Sequence, residues 1–357
     1  MPIKDIVSNP HSPWMDGTGP EADIVISSRV RVARNLAGLP FPHMLNQIRA
    51  EEVIRAVQAA INGREFRQKV GHMELIRMKD LTPVERQVLV EKHLISPDLL
   101  ESYEHKAVAI SEDEVLSVMV NEEDHLRLQC LLPGFQLQRA WELVSRLDDG
   151  LEATLDYAFD EKLGYLTACP TNVGTGLRAS VMLHLPGLVL VDQVKSVLGT
   201  ITKFGLTVRG LYGEGTEAKG NLFQVSNQIT LGQTEEDIMA NLVSVTRQLL
   251  AQERAAREAL YRERKDQLED RVGRAYGLLK HARMMTSEEA IRLLSDLRLG
   301  IDLGIIKNIP APLVIELMVL TRPAFLVKVV GKELSPVERD VYRAQLIRKK
   351  LSAAQQT

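Results

Sequence analysis

Hydrophobic and polar positions alternate with a period of two in several short stretches of the chain, the mark of strands that turn one face toward a core. In Asp23 to Val32, Ile24, Ile26, Val30 and Val32 share one parity while Asp23, Val25, Ser27, Arg29 and Arg31 share the other. Arg29 and Arg31 are therefore expected on one side. Leu126 to Leu131 sets Leu126, Leu128 and Cys130 opposite Arg127 and Gln129, and Leu177 to Leu185 sets Arg178, Ser180, Met182 and His184 on one face. Leu116 to Val120 and Leu206 to Leu211, which carries Arg209, read as further strands. The pattern predicts a sheet with arginines on selected faces.

Helical sequence punctuates the strands and then replaces them. Thr82-Pro83-Val84-Glu85 combines an N-cap, a proline at the first helical position and a capping-box glutamate, and starts a helix that ends near His93. After Thr234-Glu235-Glu236-Asp237 the chain becomes long, charged and helical, with Ile238, Leu242, Val245 and Leu249 at helical spacing. Thr286-Ser287-Glu288-Glu289 and Ser335-Pro336-Val337-Glu338 open later helices. From Ser8 to Pro20 three prolines and two glycines without periodicity read as an extended lead-in. With 357 residues the chain is long enough for two domains, a sheet-bearing one over 1–254 and a small all-helical one over 255–357.

Composition narrows the function classes. Hydrophobic residues make up 45% of the chain and charged residues 25%, as in an ordinary globular protein, and a net charge of -3 gives no general attraction to nucleic acid. Anion binding must then come from local arginine placement. Cys130 and Cys169 are too few for a disulfide framework, a single bridge staying open, and a reduced cytoplasmic setting is expected. The start Met1-Pro2-Ile3-Lys4-Asp5 lacks a basic segment followed by an apolar stretch, and no apolar run approaches the roughly 20 residues that span a bilayer. Neither secretion nor membrane insertion is expected.

The string from Cys169 to Ser180 joins a thiol, the glycines Gly174 and Gly176, and Arg178. Turn glycines let backbone N–H groups approach an anion and arginine supplies a permanent forked cation, so the string suggests phosphoryl transfer. Arg29, Arg31, Arg127, Arg178 and Arg209 are each readable alone as solvated surface charges. Together, fixed guanidinium groups suit the charge that spreads over a transferring phosphoryl group. Asn121-Glu122-Glu123-Asp124-His125-Leu126-Arg127 is readable as a polar hairpin turn, Arg209 to Thr216 as a connecting loop, and Cys169 as a buried structural thiol. No Gly-x-x-x-x-Gly-Lys-Ser/Thr loop and no protein-kinase Gly-rich or His-Arg-Asp signature is present.

The Ser27-Ser28-Arg29-Val30-Arg31, Asn-Glu-Glu-Asp-His-x-Arg, Cys-Pro-Thr-Asn-x-Gly-Thr-Gly-x-Arg and Arg-Gly-x-x-Gly-Glu strings occur in one order, and together they resemble the ATP:guanidino phosphotransferases over roughly residues 20 to 250. The resemblance implies an α+β fold, with an antiparallel sheet flanked by helices in the catalytic domain. It implies that Arg29, Arg31, Arg127, Arg178 and Arg209 hold the phosphates of ATP, with Mg²⁺ bound mainly through those phosphates and no protein metal site, and that His93 contacts the nucleotide. The nucleotide is expected along Ser27, Ser28, Arg29, Val30 and Arg31, along Arg178, Ala179, Ser180, Val181 and Met182, and along Arg209, Gly210, Leu211, Tyr212, Gly213 and Glu214. Glu123 is implied as the carboxylate that orients and deprotonates a guanidinium, with Glu122 beside it, Glu214 as the second carboxylate and Cys169 as the reactive cysteine. Met119 stands where the family's small-molecule kinases carry tryptophan. A guanidinium is protonated at neutral pH, so such chemistry needs carboxylates to align it and accept a proton.

Phosphagen kinases carry an N-terminal helical domain before the first strand, whereas this chain adds helices at the other end, which resembles the bacterial protein-arginine kinases of the family. Arg339, Asp340, Arg343 and Ala344 then match a phosphoarginine-binding motif, although by spacing alone Arg339 and Arg343 make a solvated helix face with Asp340 between them. The implied function is transfer of the ATP γ-phosphoryl group to protein arginines, marking them for Clp-type proteolysis. Implied partners are a Clp ATPase, a zinc-binding activator and a heat-shock repressor as substrate, with a homodimer expected. Free arginine as acceptor, or an inactive phosphoarginine-binding adaptor, are the alternatives.

Overall fold

The computed structural model describes residues 3–9, 11–210 and 218–354. Its strands are β1 (Val25–Arg34), β2 (Met73–Arg77), β3 (Ala107–Ser111), β4 (Leu116–Val120), β5 (Leu126–Pro133), β6 (Phe159–Asp160), β7 (Gly164–Tyr165), β8 (Leu177–His184), β9 (Leu206–Gly210) and β10 (Leu222–Asn227). Among the described residues, eight strands form one antiparallel sheet in the order β2-β3-β4-β5-β1-β8-β10-β9, and β6 pairs with β7 separately.

Alternation gives the sheet two unlike faces. Val30, Val32, Leu128, Cys130, Ala179 and Val181 join one core with apolar stripes of the helices Gln47–Asn62, Leu137–Glu152 and Glu235–Glu263. On the other face Ile26, Met119, Leu131, Met182 and Leu222 join a second core with Leu89, Leu293, Val314, Phe325 and Ile347. The C-terminal helices thus cover part of the face that carries the arginines. At the start of β1, Val25 pairs with Leu183 and Ser27 with Met182, a bulge that places one extra residue in β1. Val25 therefore belongs to the first core and Ile26 to the second, correcting the expectation that Ile26 shares a face with Val30.

The capping signals act as read. Thr82 and Glu85 form a reciprocal capping box on the helix Pro83–Glu91, and Thr234, Thr286 and Ser335 each accept an N–H of the first turn that follows. The helix Glu235–Glu263 runs 29 residues without a break through the expected boundary near 255. The lead-in carries a short helix at Ile3–Ser8 and a helical turn at Pro13–Met15 instead of extended chain throughout. No described helix is long and apolar enough to cross a membrane.

Buried charges tie the C-terminal helices to the sheet. Glu253 accepts the Gly187 and Leu188 N–H groups at 2.8 and 2.9 Å and pairs with Arg257 at 2.6 Å, while Arg298 and Arg257 both reach Asp302. Breaking one such buried pair costs about 3–5 kcal/mol because the other charge stays buried. Glu91, buried at the end of its helix, accepts Ala324 N–H at 3.1 Å and Phe325 N–H at 3.0 Å and so caps the helix Pro323–Val330. Its desolvated carboxyl is pushed above the usual glutamate range, against the pull of these N–H groups and of Arg322.

Candidate active site

Register brings the sheet arginines together. Arg31 lies opposite Gln129 on β5 and Arg178 on β8, and Arg29 lies one pleat along, opposite Leu131 and Ser180. Arg127 pairs with Met119 and Ala33, and Arg209 with Gln224, itself opposite Met182. All five arginines line one cavity of about 400 Å³, whose remaining wall includes His93, Ser96, Met119 and Arg322.

Cations dominate this cavity. Burial first, then the positive charges of Arg127 and Arg178, lower the Arg29 guanidinium to about 10, and Arg31 is pushed well down by burial and by Arg29, Arg127 and Arg178. Arg178 is lowered by burial and by Arg209 and Arg127. The buried Arg31 Nε has no hydrogen-bond partner. Such crowding is unfavourable until an anion enters. His93, with φ +60°, stands edge-on to Trp14 with ring centroids 5.2 Å apart. Burial, Arg322 and Arg29 hold its imidazole neutral, lowered to about 3.

The acidic string forms the hairpin between β4 and β5. Glu122 is buried, its Oε2 accepting from Arg127 Nη1 at 2.6 Å and its Oε1 from the Ser96 hydroxyl. Burial alone would raise its carboxyl, but Arg127, Ser96 and Arg31 outweigh it and the group is held low. Glu123 is exposed, and desolvation by its surroundings, with Asp124 and Glu122 beside it, raises its carboxyl despite Arg127 and a hydrogen bond with Cys169. Two adjacent acids thus take different roles. Asp124 accepts from Asn35 Nδ2 and Ala168 N–H, both at 2.7 Å, which fixes the hairpin against the Cys169 segment. His125 accepts the Leu36 N–H on Nδ1 and faces the Pro40 carbonyl with Nε2.

A second cavity of about 520 Å³ has Glu122 in its wall, whereas its partner Arg127 lines the first. Glu122, Glu123, His43, His105, Lys106 and Ala168 are in its wall. Cys169 sits at the start of a helical turn, partly exposed, with Sγ 3.0 Å from Thr171 Oγ1. Cys130 is buried in the core and its thiol is pushed up by desolvation; both cysteines are free. The first cavity is lined by arginines, the second carries Glu122 and Glu123 beside Lys106, and the Glu122–Arg127 pair has one member in each wall.

Two sequence profiles match the chain: one described as ATP:guanido phosphotransferase, C-terminal catalytic domain, over residues 52–256, and one described as Protein-arginine kinase McsB C-terminal domain, over 265–357. The chain belongs to the ATP:guanido phosphotransferase family. A protein-arginine kinase of Pelotomaculum thermopropionicum is 62% identical over 352 residues, covering 99% of each chain, and one of Desulforamulus reducens is 60% identical over 353, again covering 99% of each. A crystal structure of lombricine kinase shares the fold, with a TM-score of 0.57 at 23% identity over 69% of this chain and 71% of that one.

The phosphotransferase fold leaves some expected positions away from the cavity. Ser28, Val30, Ala179 and Val181 lie on strands paired on both sides, and the last three face the first core. Ser28 instead bonds Gly134 O and Gln136 N–H. Ser27, Ser180 and Met182 stay beside Arg29 and His93. Gly210 ends β9, and Leu211, Tyr212, Gly213 and Glu214 lie outside the described residues. The glycines of the Cys169 string also differ from expectation. Gly174, with φ +110°, exchanges backbone bonds with Tyr165 and packs so closely on Thr230 that a Cβ would stand 2.8 Å from its carbonyl oxygen. They let chains pack; only Arg178 of that turn lines the anion cavity.

In the helix Pro336–Ala354, Arg343 is buried, not on the surface face expected from spacing. Ala344, Ile347 and Leu351 pack inward and carry it with them, and its Nε donates to Thr321 O at 2.9 Å and Nη1 to Met285 O at 2.8 Å, with Asp340 also paired. Arg339 and Asp340 are half-buried and Ala344 is in the core. Arg322 and Ser96 are site-wall residues that no motif announced. The Thr-Arg-Pro sequence at 321–323 signals a helix start, but only tertiary docking brings it to the sheet.

Proposed function

We propose that this protein is a protein-arginine kinase that transfers the γ-phosphoryl group of ATP to arginine side chains of proteins. The observation that carries the reading is the cavity pair, one lined by five sheet arginines including Arg127 and the other carrying its partner Glu122 with Glu123. In this reading Arg29, Arg31, Arg127, Arg178 and Arg209 hold the phosphates and offset charge developing on the transferring group. Mg²⁺ would enter with the nucleotide and neutralise phosphate oxygens; among the described residues no cluster of His, Cys, Asp or Glu is placed to hold an ion alone. The acceptor guanidinium lies against Glu122, which stays ionised, and Glu123, whose raised carboxyl makes it the better proton acceptor. Cys169, whose thiol pulls the Glu123 carboxyl downward, flanks the acceptor as the family's cysteine does, and Glu214 is assigned the second carboxylate by its motif alone.

The match of residues 265–357 to the protein-arginine kinase module, together with the full-length relatives, favours protein arginine over free arginine as acceptor. Of the Arg339, Asp340, Arg343 and Ala344 motif, the half-buried Arg339 and Asp340 are then the part open to a phosphoarginine ligand, while the buried Arg343 and Ala344 hold the helix in place. Marking of substrates for a Clp ATPase, activation by a zinc-binding protein and action on a heat-shock repressor extend the same proposal. Incubation with Mg·ATP and an unfolded protein, read by mass spectrometry under conditions that preserve acid-labile phosphate, is expected to give phosphoarginine. Phosphate on serine alone, or efficient turnover of free arginine without protein modification, would overturn it. Glu123→Gln is expected to lower turnover by about 10²–10⁴-fold, the contribution of a positioned base, with nucleotide binding retained. Because the base must be ionised, the wild-type rate falls as pH drops through its raised value.

A further inference from the structure

The anion cavity has an arginine that belongs to neither the sheet nor the recognised motifs. Arg322 stands between the helices Ala311–Leu320 and Pro323–Val330 and lines the cavity together with the five sheet arginines. Its backbone is held from both sides. Thr321 O, immediately before it, accepts from Arg343 Nε at 2.9 Å. Ala324 N–H and Phe325 N–H, just after it, donate to the buried Glu91 carboxylate.

We infer that Arg322 is a nucleotide-binding residue contributed by the C-terminal helices, a sixth guanidinium that meets the phosphates of ATP at the His93 end of the cavity. The inference rests on the reading of that cavity as a nucleotide site and deepens it. Two observations carry it: the side chain lines the same cavity as Arg29 and Arg178, and its neighbours fix its backbone so that it is presented there. Arg322, Arg29 and His93 all line this one cavity. A nucleotide site built this way is shared: the sheet supplies five cations and the helical region closes the ring.

The test is equilibrium binding of Mg·ADP to the full chain by titration calorimetry, for the wild type and for Arg322→Ala, Arg322→Gln and Arg322→Lys. Loss of one charge-assisted phosphate contact is expected to weaken binding about tenfold or more in Arg322→Ala and Arg322→Gln. Arg322→Lys, which keeps the charge but not the fork, is expected to lie between them and the wild type. The log-affinity against log-salt slope should also be shallower in Arg322→Ala. Wild-type binding with all three variants within twofold of it would overturn the assignment of Arg322 and leave the kinase reading standing. Absence of ADP binding by the wild type itself would remove both. Failure of all three variants to fold would make Arg322 a structural residue and also overturn the assignment.

Discussion

Two groups of arginines occupy this molecule, and they differ in what their donors do. On the sheet, Arg29, Arg31 and Arg178 face a cavity, depress one another and leave a buried Nε without a partner. In the C-terminal helix, Arg343 gives its donors to Thr321 O, Met285 O and Asp340. Both groups read alike in sequence, as arginines two or four apart beside polar neighbours. What separates them is satisfaction: cations that repel one another await a ligand, whereas a buried cation wrapped in carbonyls holds helices together. Arg127 stands between the two cases, since it lines the cavity and is also paired with Glu122 at 2.6 Å.

Arg127→Ala should therefore be the only substitution of the set to strike both readouts. Turnover is expected to fall about 10³-fold through loss of transition-state stabilisation. Stability is expected to fall by about 3 kcal/mol because Glu122 stays buried without its cation. A variant that loses activity with no change in the urea midpoint would show that Glu122 is satisfied by Ser96 alone and would blur the comparison.

Arg343→Ala tests the structural group. With the carbonyls of Thr321 and Met285 left unpaired, stability is expected to drop by roughly 2–3 kcal/mol, read from chemical denaturation. Arg339→Ala, four residues earlier and half-buried, should stay within about 0.5 kcal/mol of the wild type. Equal effects of the two would mean that the motif's arginines are not distinguished by burial. On the sheet the opposite is expected of Arg178→Ala: a loss of about 10²-fold in turnover with no loss of stability, because removing one cation relieves its neighbours.

Much of this contrast was legible before the fold was known, and the rest was not for identifiable reasons. Alternation placed Arg29 with Arg31, Arg127 with Gln129 and Arg178 with Ser180, since a pleat of period two leaves no choice once one face is apolar. It failed at Ile26, where a bulge adds a residue that no periodicity announces. β3 escaped because Ala107 to Ser111 is buried on both faces and carries no alternation. Glu122 and Glu123 were found as a pair, but their division of labour depends on Arg127 and Ser96 lying on one side only. Arg322 and the burial of Arg343 depend on how the C-terminal helices dock, which is a property of the whole molecule. The glycines of the Cys169 string serve close packing, a role that their turn spacing shares with anion binding and does not distinguish from it.

His93 lies where the two regions meet, and it gives the smallest and most direct test of their contact. Its imidazole is held neutral by burial first and then by Arg322 from the helices and Arg29 from the sheet, down to about 3 from an ordinary 6.5. The sign follows from proton binding: below pH 6.5 the unfolded chain takes up a proton at this position while the folded one does not, so stability falls as pH drops from 6.5 toward 3 and is flat below. At pH 5.5 this histidine alone contributes a loss on the order of 1 kcal/mol. His93→Gln should reduce the fall in urea midpoint between pH 7.5 and 5.5 by that amount, the remainder belonging to the other neutral, buried histidines, His125 and His184. Arg322→Gln should produce part of the same flattening by removing one of the two cations, and saturating Mg·ADP in the wild type should produce more of it by surrounding the ring with negative charge. If neither changes the acid limb while His93→Gln does, burial alone holds the imidazole neutral and the helical region does not touch the arginine cavity electrostatically.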